Sequence, residues 1–203
     1  MEVRERILKV AEELFLKFGI RSVTMDEIAS KLGISKKTIY LHFEDKDEIV
    51  HEVATNRMNH EQGVCEQIYE ESENPIHEVV KEIEVLKKDA ATFNPVIMYD
   101  LKKYHPKTWA VFQRHKQTIF LDITRRNLQE GVKQGLYRPE INIEILSKLR
   151  MEEIDFAFEQ SVFPNNAFNQ FDIHKTFIDH FLRGVLTEKG LRIYEQYINA
   201  DNS

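Results

Sequence analysis

The sequence predicts an all-α protein: a small N-terminal domain of three helices carrying a helix-turn-helix, then a larger C-terminal helical domain. Three observations lead there. Apolar residues recur at spacings of three and four from end to end. Gly (7) and Pro (5) are too scarce in 203 residues for the many tight turns of a sandwich or barrel. Helix start and stop residues punctuate the chain in order.

Residues 3–18 put Ile7, Leu8, Ala11, Leu14, Phe15 and Phe18 at helical spacing, and Gly19 ends that helix. Thr24 and Glu27 form a capping box opening a second helix, with Ile28, Ala29 and Leu32 on its apolar face and Gly33 at its end. Ser35 caps a third segment, Lys36 to Phe43. Asp45 caps a fourth, running from Lys46 into the low seventies. Asn74-Pro75 starts a helix over about residues 75–92, and Asn94-Pro95 another to about Tyr104. After His105-Pro106 the spacing predicts one long helix, about 107–134. Gly135 to Pro139 reads as a turn, and helices at 142–163 and 168–187 follow. A short amphipathic piece with Leu191, Ile193, Tyr194 and Ile198 comes after Gly190. The domain boundary falls within the fourth helix, near residue 50, dividing 1–48 from 49–203, so that this helix belongs to both halves.

Composition excludes several classes. A single cysteine, Cys65, cannot build a disulfide framework or a cysteine zinc site. The first residues mix charge with apolar side chains and do not read as a signal peptide, and no stretch nears ~18 consecutive apolar residues. The expectation is a soluble, cytoplasmic protein with no membrane segment. His42, His51, His60, His77, His105, His115, His174 and His180 include no pair four apart, so no metal is expected, and no cofactor. There is no Gly-x-Ser-x-Gly and no phosphate-cradling glycine loop, so the chain does not read as an enzyme.

The net charge of −6 does not by itself exclude nucleic acid, because the local field decides. Within residues 31–46, Lys31, Lys36, Lys37 and Lys46 face only Glu44 and Asp45. Two short helices around Gly33 fit a helix-turn-helix. Ile34 and Ile39 are apolar where the pair packs. Ser35, Lys36, Lys37, Thr38, Tyr40 and His42 supply donors for phosphates and base edges. Taken singly, Thr24 and Ser35 are equally helix caps and the lysines a solvated face. In this order and spacing they answer several demands of double-stranded DNA at once.

These residues resemble a known family. Leu14-Phe15, Gly19, Thr24-Met25-Asp26-Glu27-Ile28-Ala29, Leu32 through Tyr40, His42-Phe43 and Asp45 through Ile49 look like the DNA-binding domain of TetR-type transcriptional regulators, over about a quarter of the chain. The resemblance implies a homodimer that reads a palindrome, a C-terminal domain that binds a small-molecule effector, and repression as the output. By position, Thr24, Tyr40, His42 and Lys46 would touch phosphates, with Lys36, Lys37 and Thr38 at or near base edges. Lys37 departs from the small residue many members carry there.

The C-terminal half is rich in aromatics. Phe93, Tyr99, Tyr104, Trp109, Phe112 and Gln113 combine apolar walls with isolated polar groups, a pattern shared by ligand pockets and plain cores. The helices at 142–163 and 168–187 carry more apolar surface than one subunit needs. Ile145, Leu149, Phe158, Val162, Phe171, Ile178 and Phe181 are expected to pair with their twofold mates in a four-helix bundle. Two alternatives stay open: a DNA-binding regulator with no ligand, and a helical enzyme or binding module using the helix-turn-helix as scaffold.

Overall fold

The computed structural model describes residues 2–90 and 92–201. The described residues are helical nearly throughout. In order they form α1 (Val3–Phe18), α2 (Met25–Leu32), α3 (Lys36–Tyr40), α4 (Lys46–Glu71), α5 (Pro75–Ala90), α6 (Val96–Tyr104) and α7 (Pro106–His115). A π-helical segment (Lys116–Phe120) precedes α8 (Leu121–Lys133), α9 (Ile143–Ala157), α10 (Gln170–Val185) and α11 (Glu188–Asp201). Sequence reading had α1, α2 and α4 at these bounds. None of the described helices is long and apolar enough to cross a membrane.

Elsewhere the structure differs from that reading, for physical reasons. Regular helix in the third segment stops at Tyr40; a turn follows, in which His42 and Phe43 both donate to Ile39 O, and Phe43 enters the core. The expected long helix of 107–134 changes register over Lys116–Phe120. There Lys116, 1% exposed, donates to Asp155 Oδ2 at 2.6 Å. A π turn inserts one extra residue per turn, an event hydrophobic spacing cannot register. The helix expected to reach 163 ends at Ala157, where the chain turns. The rings of Phe156, Phe163, Phe168 and Phe177 then meet at 5.5–6.0 Å. Asn169 restarts the helix by accepting the N–H groups of Phe171 and Asp172. The short C-terminal piece is a full helix, α11.

By proximity the chain forms two compact units. One is Met1–Glu61 with Ala91–His115; the other is Gln62–Ala90 with Lys116–Ser203. In the first, α1 packs on α2 and α2 on α3, around Ile7, Ala11, Phe15, Ile28, Ile39 and Phe43. The second is built on Ile76, Leu128, Leu136, Tyr137, Ile178, Leu182, Val185 and Tyr194. Its α8–α9 turn is pinned by an isolated antiparallel bridge between Tyr137 and Leu186.

Candidate DNA-binding interface

Three caps set the geometry of the reading head. Thr24 Oγ1 accepts the Glu27 N–H at 3.2 Å while the Glu27 carboxylate takes the Thr24 N–H at 2.7 Å, closing the predicted capping box. Gly33 ends α2 in the left-handed conformation (φ 67°), which lets the chain turn sharply into the next helix. Ser35 Oγ accepts the Thr38 N–H at 3.1 Å and lies 2.8 Å from Thr38 Oγ1.

The proposed DNA-contacting side chains fall into two groups. Lys37 and Tyr40 are exposed, and Lys37 makes no ion pair among the described residues. His42 is half-buried. Others already have protein partners. Lys36 Nζ donates to Asp26 Oδ2 at 2.8 Å, and that bond raises the lysine's pKa. Lys46 donates to Ile20 O at 2.6 Å, and burial lowers its pKa against the opposing pull of Asp100 and Asp47. Sequence reading missed Leu41, 75% exposed and one turn beyond Lys37. An apolar side chain there suits a thymine methyl. The signal was a leucine amid donors, in a segment whose core positions were already filled.

The same compact unit contains α6, and its contacts were not anticipated. Asp100, 3% exposed, accepts the main-chain N–H of Arg21 at 2.8 Å. Arg21 Nη1 donates to the Tyr104 hydroxyl at 3.0 Å, with the guanidinium 5.0 Å above that ring. His105 Nδ1 lies 2.9 Å from Asp47 Oδ1 at the start of α4. The turn from α1 to α2 is therefore tied to α6, and His105, which caps the end of α6, approaches the first turn of α4.

Residues 7–53 match the family model described as bacterial regulatory proteins, tetR family. The chain belongs to the TetR/AcrR family of transcriptional regulators. As a TetR-family protein it is a DNA-binding regulator and not an enzyme, and DNA and a second copy of the chain are its partners. Over 189 residues it is 25% identical to the uncharacterized HTH-type regulator YvaF of Bacillus subtilis (strain 168), spanning 91% of this chain and 96% of the relative. It is 22% identical to the repressor KstR2 of Mycolicibacterium smegmatis, over 70% and 71% of the two chains. Among solved structures, a putative regulator from Saccharomonospora viridis in complex with choline superposes with a TM-score of 0.74 at 19% identity, covering 91% and 98%. FadR of Bacillus subtilis in complex with stearoyl-CoA gives 0.68 at 17%, covering 89% and 98%. At those identities the structures establish a shared TetR fold.

In this TetR-family chain the expected pocket residues are held by different neighbours. Tyr99 is exposed and bonded to Lys103, and Tyr104 is committed to Arg21. Trp109 and Phe112 pair at 5.3 Å, Phe93 lies under the Arg57 guanidinium at 5.9 Å, and Gln113 is half-buried. All six stand in the unit that holds the reading head. The other unit instead has a polar interior that sequence reading missed. Buried Glu78 accepts from Arg126 and Asn127, both at 2.8 Å, and Asn127 accepts the Tyr137 hydroxyl at 3.0 Å. Arg126 lies 3.7 Å over the Tyr69 ring. Burial and the neighbouring Glu78 push Glu82 up to about 7; burial and Arg150 hold His174 down to about 4.

The expected dimer residues divide likewise. Ile145 (64% exposed), Leu149 and Val162 lie on the surface, joined by Phe156 and Phe168, which the sequence reading did not select. Phe171 is half-buried, and Phe158 packs its ring on His174 at 5.1 Å. Ile178 needs correcting: at 2% exposure it is sealed in its own subunit's core, against which Phe181 also packs, so it is out of a partner's reach. An apolar stripe on a helix records burial but not what buries it.

Proposed function

We propose that this chain is a cytoplasmic repressor that binds a palindromic operator as a homodimer and is released when a small molecule binds its C-terminal domain, residues 49–203. Residues 1–48 read the DNA. Lys37, with Lys36 and Thr38, meets base edges, while Thr24, Ser35, Tyr40, His42 and Lys46 serve the phosphate contacts and the caps beside them. The exposed apolar residues Ile145, Leu149 and Val162 make the dimer seam, holding two recognition helices ~34 Å apart.

One observation carries the release step: Asp100 and Tyr104 of α6 bond to Arg21 in the turn between the first two helices. A ligand that favours a different placing of α6 must move that turn, so the second half-site contact is lost while each α3 stays intact. The coupling required is typically ~1–3 kcal/mol. The polar interior around Glu78, Arg126 and Asn127 gives a ligand its anchoring groups. Structural relatives described as complexes with choline and with stearoyl-CoA support a small-molecule effector.

The test is a mobility-shift assay on DNA upstream of the protein's own gene, followed by a screen for compounds that release it. Light scattering of the free protein should report a dimer. A specific shift that no compound relieves would leave a constitutive regulator and remove the release step.

A further inference from the structure

The adjacent lysines at the start of α3 are held differently. Lys36 Nζ is bonded to Asp26 Oδ2 on α2 at 2.8 Å, whereas Lys37 makes no ion pair among the described residues. Asp26 is 70% exposed on its side chain, and Lys36 is its hydrogen-bond partner among the described residues. As a first-turn acid it complements the dipole of α2, but that role would be served without a bond to the recognition helix.

A carboxylate beside a DNA-reading lysine opposes the attraction of phosphates, which is the sequence-independent part of binding. Specificity is a difference of affinities, and a repulsive element that weakens non-operator binding raises it. We infer that Asp26 is a specificity-determining residue of the DNA interface: by holding the Lys36 ammonium it keeps that lysine off the phosphate backbone and beside the base edges, next to Lys37, which makes no ion pair among the described residues. The inference rests on α3 entering the groove, as proposed above. Asp26 acts through Lys36 and is a positioning residue.

The experiment compares the full-length wild type with Asp26→Asn, Asp26→Glu, Lys36→Met and the Asp26→Asn/Lys36→Met pair. The probes are a random-sequence duplex and the strongest site selected from a random pool, each titrated with KCl. Asp26→Asn should bind the random duplex about two- to fivefold tighter. Its slope of log affinity on log salt should steepen by about 0.9 per protomer, and the ratio of selected to random affinity should fall. Asp26→Glu, which keeps a charge within reach, should behave as wild type, and Lys36→Met should abolish every effect of Asp26→Asn. Unchanged random-duplex affinity and slope in Asp26→Asn would overturn the inference. So would the same gain in the Lys36→Met background, since Asp26 would then act by its own charge. A wild type that binds neither duplex would remove the DNA interface itself.

Discussion

The carboxylate of Asp100 accepts the main-chain N–H of Arg21 at 2.8 Å, joining two positions 79 residues apart in sequence. Asp100 lies among the buried residues Ile97, Met98 and Leu101 of α6, so little water competes for that bond. Asp100→Ala strips a part-buried N–H of its acceptor, at a cost of about 1–3 kcal/mol. Urea unfolding should register the loss. DNA affinity should fall although no DNA-facing side chain has changed. Undiminished affinity in a destabilised variant would mean that the turn needs no help from α6.

Gly131→Ala should destabilise the C-terminal unit despite the usual gain from Ala in a helix interior, about 0.5–1 kcal/mol. The added Cβ would lie 2.0 Å from Tyr137 Cδ2, and that ring is anchored by its hydroxyl's bond to Asn127. Overpacking of this kind costs about 1–3 kcal/mol, so a net loss of melting temperature is expected. A rise would show that the Tyr137 ring can move aside freely.

Lys37→Ala tests base reading. If Lys37 contacts a base edge, preference at one operator position should relax, with discrimination of about 1–3 kcal/mol lost there. If it contacts phosphate, weakening will be uniform across operator variants. Competition binding with single-base operator variants separates the two, and the exposed, unpaired lysine is expected to give the first result.

Stability should depend on pH through Glu82 and His174 with opposite signs. Glu82 titrates at about 7 when folded against 4.5 when free, so the folded chain holds the extra proton between those values and stability falls as pH rises through that window. His174 titrates at about 4 when folded against 6.5 when free, so stability is lost as pH falls through its window. The two slopes oppose each other from about 4.5 to 6.5. Glu82→Gln removes the first. Relative to wild type it should gain up to about 3 kcal/mol near pH 8, less where solvent reaches the carboxyl, and nearly nothing below about pH 4.5. Urea unfolding across pH measures this; a gain independent of pH would contradict the raised titration.

What could be read from the sequence was local. The Thr24–Glu27 capping box and Gly33 set α2 because their partners lie within four residues, and the donors proposed to face DNA were chosen from the same spacing. The end of α3 was not legible, since Tyr40 to Phe43 suit another helical turn and only burial of Phe43 decides otherwise. The tie between Asp100 and Arg21 and the Glu78–Asn127–Tyr137 chain join distant residues, which no periodicity reveals. Ile178 was misplaced because apolar spacing looks the same whether a helix is covered by its own chain or by another.

Trp109 is the protein's one tryptophan, and it stands on α7 beside Phe112, with the Lys102 ammonium 6.0 Å above its ring. Its indole is half-buried and belongs to the unit that holds the reading head. Excited selectively over the seven tyrosines, its fluorescence therefore reports on that unit with no added dye. A compound that dislodges Lys102 from the indole would reveal itself as a change in emission before any DNA is added.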